Sequence, residues 1–389
     1  MKVNIAVCGK FHYHNYIRYL DRQDVLNRFF HSYRVSANAR FLSVRKDRVV
    51  NIWIKEYLLG VHLLLFNDRC LDTLLPLYHD LWQAITLLRW RKCDIFQVML
   101  HGTSRKLIQK AREEKAIVIG QPVNSHPQVV NAILNEEYQR LGNKKELKFS
   151  VVQKRLIQEI EMCDYLLVAS RFIKDSFVIQ GFDGEKIHVI PYGVDLDRFY
   201  PLVKDEKVDS DSIFRVICVA SIIPRKGHVY LLEAWKRLNL PHSELLLIGG
   251  ISTVMKPVLA KYTGWFRHIP HVPNVMLRQY YSRSSVFVLP SLEDGFAMAC
   301  GEAMGCGLPV ITTSNTGASE IIEHGKEGFI IPIRSPGAIA HYLDLLYRDQ
   351  ERLREMSVTS LDKSRTDMSW KAYAHKLCSF YNSLNTKHL

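Results

Sequence analysis

With 389 residues, 47% of them hydrophobic, the chain is long and apolar enough for about two domains with sizeable cores, which excludes disorder. The formal net charge is +13, and residues 1–115 hold 20 Lys and Arg against 10 Asp and Glu, so the basicity is gathered near the amino end. Eight cysteines without a CxxC pair indicate neither a zinc site nor a disulfide framework, and a reducing cytoplasm fits them.

The opening MKVNIAVCGK contains a strand, Val3–Cys8, and lacks the apolar region and cleavage site of a signal peptide. The loop after it, Gly9-Lys10-Phe11-His12-Tyr13-His14, carries bulky rings and is expected to shape an acceptor site through Gly9, Lys10 and His12. Arg45, Lys46, Arg48 and Lys55 precede the lipophilic run Tyr57–Phe66, and Arg89–Lys92 follow a helical stretch containing Trp82. Ten residues are too few to span a bilayer, but cations beside apolar surface suit an anionic membrane face; buried helices with solvated basic ends are the other reading. No helix-turn-helix, zinc-finger or RNP pattern places a reading element in a groove, so a nucleic-acid partner is not expected.

Strands are predicted at Val3–Cys8, Ile95–Leu100, Ala116–Gly120, Tyr165–Ala169 and Ile187–Ile190, with helices between them, which is the pattern of a doubly wound α/β unit. His101 ends one of these strands and His126 follows another, so both can face a cleft. The pattern restarts at Arg215–Ala220, Glu244–Gly249, Val286–Leu289, Val310–Thr313 and Phe329–Ile331, with helices near His228–Leu238, Ala297–Gly305 and Gly337–Arg348. Two Rossmann-like domains, residues 1–190 and 213–368, are therefore expected to face a central cleft. Residues 191–212 form the hinge between them, stiffened by Pro191 and Pro201. Residues 369–389 contain a helix with apolar residues at helical spacing.

In the second unit, SIIPRKGH (Ser221–His228) follows a strand and opens a helix, so Arg225 and Lys226 project where a diphosphate would approach the backbone at Gly227. The stretch Val288–Val310, VLPSLEDGFAMACGEAMGCGLPV, carries a second strand-to-helix turn at the carboxyl edge of the sheet, where nucleotides bind in such folds. Seven residues separate Asp294 from Glu302, roughly two helical turns, so both can face one cleft at different depths.

This spacing resembles the acid-x7-acid signature of the retaining family 4 glycosyltransferases, which have the two-domain GT-B fold. PYGVDLDRFYP (Pro191–Pro201) resembles the family's linker, and Glu161–Ser176, Gly317–Glu320 and His324–Pro332 follow its order. The likeness is strong from about Glu161 onward and weaker before it. It implies transfer of a sugar from a nucleoside diphosphate sugar to a carbohydrate or glycolipid acceptor, in surface polysaccharide or lipopolysaccharide assembly, with retention of configuration. It also implies a terminal helix that crosses back to the first domain. In the donor loop, Gly295 to Met298 continue the motif after the acid; Glu302 would take the ribose hydroxyls, Asp294 the sugar hydroxyls, and the amides of Phe296 and Ala297 the sugar or diphosphate. The first acid is usually Glu in the family, so Glu293, with eight residues before Glu302, is the alternative to Asp294. Ala220–Ser221 stands where relatives carry a Gly-Arg pair, leaving the diphosphate to Lys226 and Arg225. His126 or His101 would orient the sugar or acceptor, and His126 is favoured because relatives place a histidine after the corresponding strand. With no DxD-like motif, neither metal nor other cofactor is expected.

An epimerase of the same fold and a non-catalytic nucleotide-sugar scaffold remain as rivals, whereas a dehydrogenase lacks its GxGxxG. The expected location is cytoplasmic, with the inner face of the plasma membrane open as a contact surface.

Overall fold

Strands of a parallel sheet are covered by helices on both faces and read as continuous apolar runs, not alternating ones. The computed structural model, which describes residues 1–9, 11–33, 43–66, 71–143, 146–202 and 213–385, contains two such sheets. The first is built from β1 (Val3–Val7), β2 (Leu26–His31), β3 (Val49–Asn51), β4 (Ile95–Leu100), β5 (Ile117–Pro122), β6 (Tyr165–Val168) and β7 (Ile187–Val189). Its order is β3-β2-β1-β4-β5-β6-β7, parallel throughout. The second comprises β8 (Phe214–Val219), β9 (Ser243–Ile248), β10 (Arg267–Ile269), β11 (Val286–Leu289), β12 (Val310–Thr313) and β13 (Gly328–Ile331), in the order β10-β9-β8-β11-β12-β13, again parallel.

Both sheets reverse their winding once, between β1 and β4 and between β8 and β11. There the connections diverge to opposite faces and leave a crevice at the carboxyl ends of the strands. The expected strands lie within a residue or two of those observed, but β2, β3 and β10 are additional. β2, LNRFFH, carries Asn27 and Arg28 inside the run, and β10, RHI, is a short edge strand with an exposed start; neither shows the apolar continuity that marks a central strand. A further helix, Gln350–Asp367, is largely polar and escaped the same reading.

The carboxyl-terminal helix Trp370–Asn385 packs on the helix Tyr13–Arg22 of the first domain. A buried polar network fixes it there. Gln97 on β4 donates to Gln121 on β5 at 2.9 Å and to the Tyr16 hydroxyl at 3.3 Å, and accepts from Tyr381. Gln121 accepts from Tyr13 at 2.7 Å and donates to Tyr192 and Tyr373 at 3.1 and 3.3 Å. Each bond adds only about 1 kcal/mol net, but leaving any of these buried groups unpaired would cost more, so the network selects this docking over others. The linker returns alongside: Val194 bridges Ser369, setting the two chain crossings side by side. The linker residues from Lys204 to Ser212, and the chain beyond Asn385, lie outside the described residues.

Candidate active site

The helices that follow β8 and β11 start where the second sheet reverses, and their loops touch. Gly227 adopts φ +65° as the cap of the helix His228–Leu238, and a Cβ there would collide with the Pro290 carbonyl. That close approach brings Lys226 against Asp294. Lys226 Nζ pairs with Asp294 Oδ2, and Asp294 Oδ1 accepts the Ala297 amide at 3.1 Å. Burial alone would raise the Asp294 carboxyl; Lys226 and then Arg225 outweigh it and hold the group below the usual carboxylate range. Ala297 caps the helix Met298–Gly305 in the left-handed region, φ +59° and ψ 61°. A residue with a Cβ is strained there by about 1–2 kcal/mol, and this strain sits beside the acid.

A cavity of about 300 Å³ opens in front of this pair, between the domains. Ser221, Lys226, Asp294, Phe296, Ala297 and Met298 line it from the second domain, and Phe11, His12, Asn124 and Tyr192 face them. His12 stacks on Trp370 at 5.8 Å and lies 5.5 Å from the Tyr192 ring. Burial, followed by the neighbouring His14, lowers His12 to about 4, so it enters the cavity as a neutral imidazole. Tyr192, read from sequence as part of the hinge, forms a wall and meets Phe296 edge-on at 5.3 Å.

Other expected residues stand elsewhere. Glu293 is fully buried and turned away from the cavity: its Oε1 accepts the Ser125 amide and hydroxyl, both at 3.1 Å, and its Oε2 accepts Arg225 at 2.7 Å. Asp294, not Glu293, is the acid at the cavity. Arg225 is drawn to the same place, reaching Asn124 at 3.4 Å and the Glu293 carbonyl at 3.2 Å. Burial lowers its pKa, and Glu293 with Asp294 more than restores it. Gly295 is the contact point itself, since a Cβ there would strike the Val123 carbonyl. Ser170 Oγ donates to the Gly295 carbonyl at 3.1 Å.

His126 does not line the cavity. It caps the helix Pro127–Arg140, accepting the Gln128 amide at 3.3 Å on Nδ1, and packs edge-on against Phe177 at 5.3 Å; burial lowers its pKa. His101 is exposed at the end of β4, outside the cavity lining. The loop that carries it is pinned by Glu159, which accepts the amides of Gly102 at 2.9 Å and of Ser104. Gly9 lies two residues past the end of β1 and is not part of the cavity lining, and Lys10 lies outside the described residues. Glu302 is not part of the cavity lining; it accepts Tyr281 at 3.2 Å and Asn274 at 3.5 Å. Burial pushes its carboxyl up to about 7 against the pull of Tyr281, Asn274 and Arg198. No group of three or more His, Cys, Asp or Glu side chains suited to a metal ion occurs among the described residues.

Residues 204–360 match the family model described as Glycosyl transferases group 1. The second domain belongs to the group 1 glycosyltransferases. Similar curated proteins include the alpha-maltose-1-phosphate synthase of Mycolicibacterium smegmatis, 24% identical across 58% of this chain and 65% of that one. The GDP-mannose-dependent alpha-(1-6)-phosphatidylinositol monomannoside mannosyltransferase of Mycobacterium tuberculosis is 26% identical across 56% and 61%. The UDP-Gal:alpha-D-GlcNAc-diphosphoundecaprenol alpha-1,3-galactosyltransferase of Escherichia coli is 28% identical across 49% and 51%. The chain thus spans between about half and two thirds of the length of these relatives. Over the whole chain, the structure resembles sucrose-phosphate synthase from Thermosynechococcus elongatus, with TM-score 0.71, 16% identity and full coverage of both chains. HepE from Anabaena, solved with UDP and glucose, gives 0.67 at 15% identity, covering 98% of this chain and 100% of that one. The two facing domains have the GT-B fold.

Proposed function

We propose that the chain transfers a sugar from a nucleoside diphosphate sugar to a carbohydrate or glycolipid acceptor, with retention and without a divalent metal. The observation that carries this reading is the Lys226–Asp294 pair at the reversal point of the second sheet, facing His12 and Tyr192 across the interdomain cavity. Without ligand, the two charges neutralise each other. A bound donor would separate them: Lys226 turns to the diphosphate, and Asp294 accepts hydroxyls of the sugar. As the glycosyl bond breaks, negative charge gathers on the departing diphosphate, where Lys226 and the first amides of the helix Met298–Gly305 would stabilise it, while Arg225 stays on Glu293 beside them. Groups aimed in advance at developing charge are the largest source of catalysis in such sites. Glu302, set deeper, would hold the ribose. The aromatic first-domain wall suits a sugar ring.

Donor and product measurements test the reading. Calorimetry with UDP, GDP and ADP sugars is expected to show binding by at least one, and NMR of the product should show the donor's anomeric configuration kept, with EDTA leaving turnover intact. An inverted product would remove retention, and loss of activity in EDTA with magnesium rescue would remove metal independence. Free epimerised sugar without transfer would favour an epimerase, and binding without turnover a scaffold. Acceptors of surface polysaccharide or lipopolysaccharide assembly, reached from the cytoplasmic face of a membrane, are the class this reading favours. Among the described residues, no helix is long and apolar enough to cross that membrane.

A further inference from the structure

Far from the interdomain cavity, on the β3 edge of the first sheet, lies a second cavity of about 790 Å³. Arg28, Lys46, Arg89 and Arg91 line it, with Asp47 as its one acid. Local structure explains the convergence. Trp90 is pinned inward, donating to Glu114 at 2.9 Å and stacking on Phe30 at 6.0 Å, so Arg89 and Arg91 on either side are turned outward and exposed. Arg28 reaches the Asp47 backbone carbonyl, but its Nε is buried without a partner. Burial, then Arg91 and Arg89, pull the Arg28 guanidinium below its ordinary value, with Asp47 opposing. Among the described residues, neither Lys46, Arg89 nor Arg91 is ion-paired.

Three of the other cations named from sequence, Arg45, Arg48 and Lys55, are already paired within the fold. Arg45 pairs with Asp21 at 3.2 Å and Asp24 at 2.5 Å, and Arg48 with the same acids at 3.1 and 2.6 Å. Lys55 is buried against Glu56 at 2.7 Å. Basic character therefore falls on the cavity.

The same cavity is walled by Trp53, Ile54 and Leu88, where the helices Ile54–Phe66 and Leu71–Leu88 meet its rim. Ten of the eighteen exposed large apolar side chains among the described residues fall between Trp53 and Leu88, with Leu64 84% and Leu88 82% accessible. A patch so concentrated marks an interaction site. A second copy of this chain would set cationic cavity against cationic cavity if it docked symmetrically. A surface with anionic phosphates above hydrocarbon matches both halves.

We propose that this cavity and the helix pair beside it dock on an anionic phospholipid bilayer, with lipid phosphates among Arg28, Lys46, Arg89 and Arg91 and the apolar side chains entering the headgroup boundary. The inference extends the membrane-side acceptor reading, but its test uses neither donor nor acceptor. Failure here leaves sugar transfer standing, and failure of transfer leaves this intact.

The test is sedimentation of the full chain with phosphatidylcholine vesicles that contain or lack phosphatidylglycerol. Binding is expected with the anionic lipid alone at about 0.1 M salt, weakening as salt rises and the screening length falls below roughly 10 Å. Arg89→Ser with Arg91→Ser is expected to weaken it about tenfold or more, and Lys46→Ser to weaken it less. Arg45→Ser with Arg48→Ser, which removes cations already paired, should leave it within twofold. Circular dichroism and nucleoside diphosphate affinity report folding in each variant. Equal binding to neutral vesicles, indifference to Arg89 and Arg91, or a lipid-free dimer that Leu64→Asp dissociates would each overturn the proposal.

Discussion

The mouths of the two sheets share a winding order and differ in almost everything laid over it. In the second, the loops after β8 and β11 set one cation and one acid in contact beside a strained alanine. In the first, the loop after β1 carries aromatic rings, and the chain's own terminal helix packs alongside through Trp370 and Tyr373. The reversal point decides where a ligand goes; loop chemistry decides which. Charge that can answer a diphosphate belongs to one mouth, and flat neutral surface that can stack on a sugar belongs to the other.

This contrast breaks most severely at the contact between the mouths. Glu293→Ala is expected to destabilise the protein by about 3–5 kcal/mol, because Arg225 would be left partly buried without its acid and the Ser125 amide without an acceptor; a shift below 1 kcal/mol in denaturant unfolding would mean the domains do not rely on it. Lys226→Ala removes the cation of the second mouth alone. Turnover should fall about a hundredfold or more, equivalent to roughly 3 kcal/mol, with the melting temperature little changed. Activity within threefold of the parent would show that this mouth does not stabilise the leaving group.

Glu302 sharpens the division inside the second mouth. Above the folded value of about 7, where the carboxylate is charged, Glu302→Gln is expected to weaken binding of the bare nucleoside diphosphate about tenfold, since hydrogen bonds to a charged acceptor exceed neutral ones. Its pH behaviour follows from a folded value of about 7 against the ordinary 4.5. The folded state keeps a proton that the unfolded chain has lost, so this group's stability contribution is full below about 4.5 and is lost as pH rises through 7. Glu302→Gln should therefore flatten the decline in thermal stability between those values. A parallel decline in both proteins would assign it to other groups, among them Glu159, whose carboxyl burial also pushes up to about 7. The smallest effect concerns the strained cap. Ala297→Gly should stabilise the fold by about 0.5–1 kcal/mol, the left-handed penalty less the entropy of glycine; a lower denaturation midpoint would show the methyl group packs better than its backbone is strained.

Much of this site was legible in local residue order. The strand β11 is an unbroken apolar run followed by a proline, so its end and the loop of Asp294 could be placed before any packing was known. Lys226 followed from the same logic after β8. The neighbours of these residues could not be assigned: Glu293 and Asp294 are adjacent carboxylates on one loop, and the Ser125 amide and hydroxyl of the first domain, together with Arg225, turn one of them out of the cavity. His126 was drawn toward the site by its place after a strand, but its Nδ1 caps the next helix and the residue stands outside the cavity lining. Arg45 and Arg48 looked like free surface charge because Asp21 and Asp24, their partners, lie more than twenty residues away in sequence.

The sequence by itself determined the two parallel sheets, the loops at which they reverse and the residue types placed there, because apolar continuity and helix starts are local properties of the chain. The tertiary structure alone decided which acid faces the cavity, which cations remain unpaired at the first sheet's edge and how Tyr192 and His12, stacked on Trp370, form the first-domain wall of the cavity. Those outcomes depend on what arrives across the cleft, and the free energy of a buried charge or ring is set by its partners rather than by its neighbours in the chain.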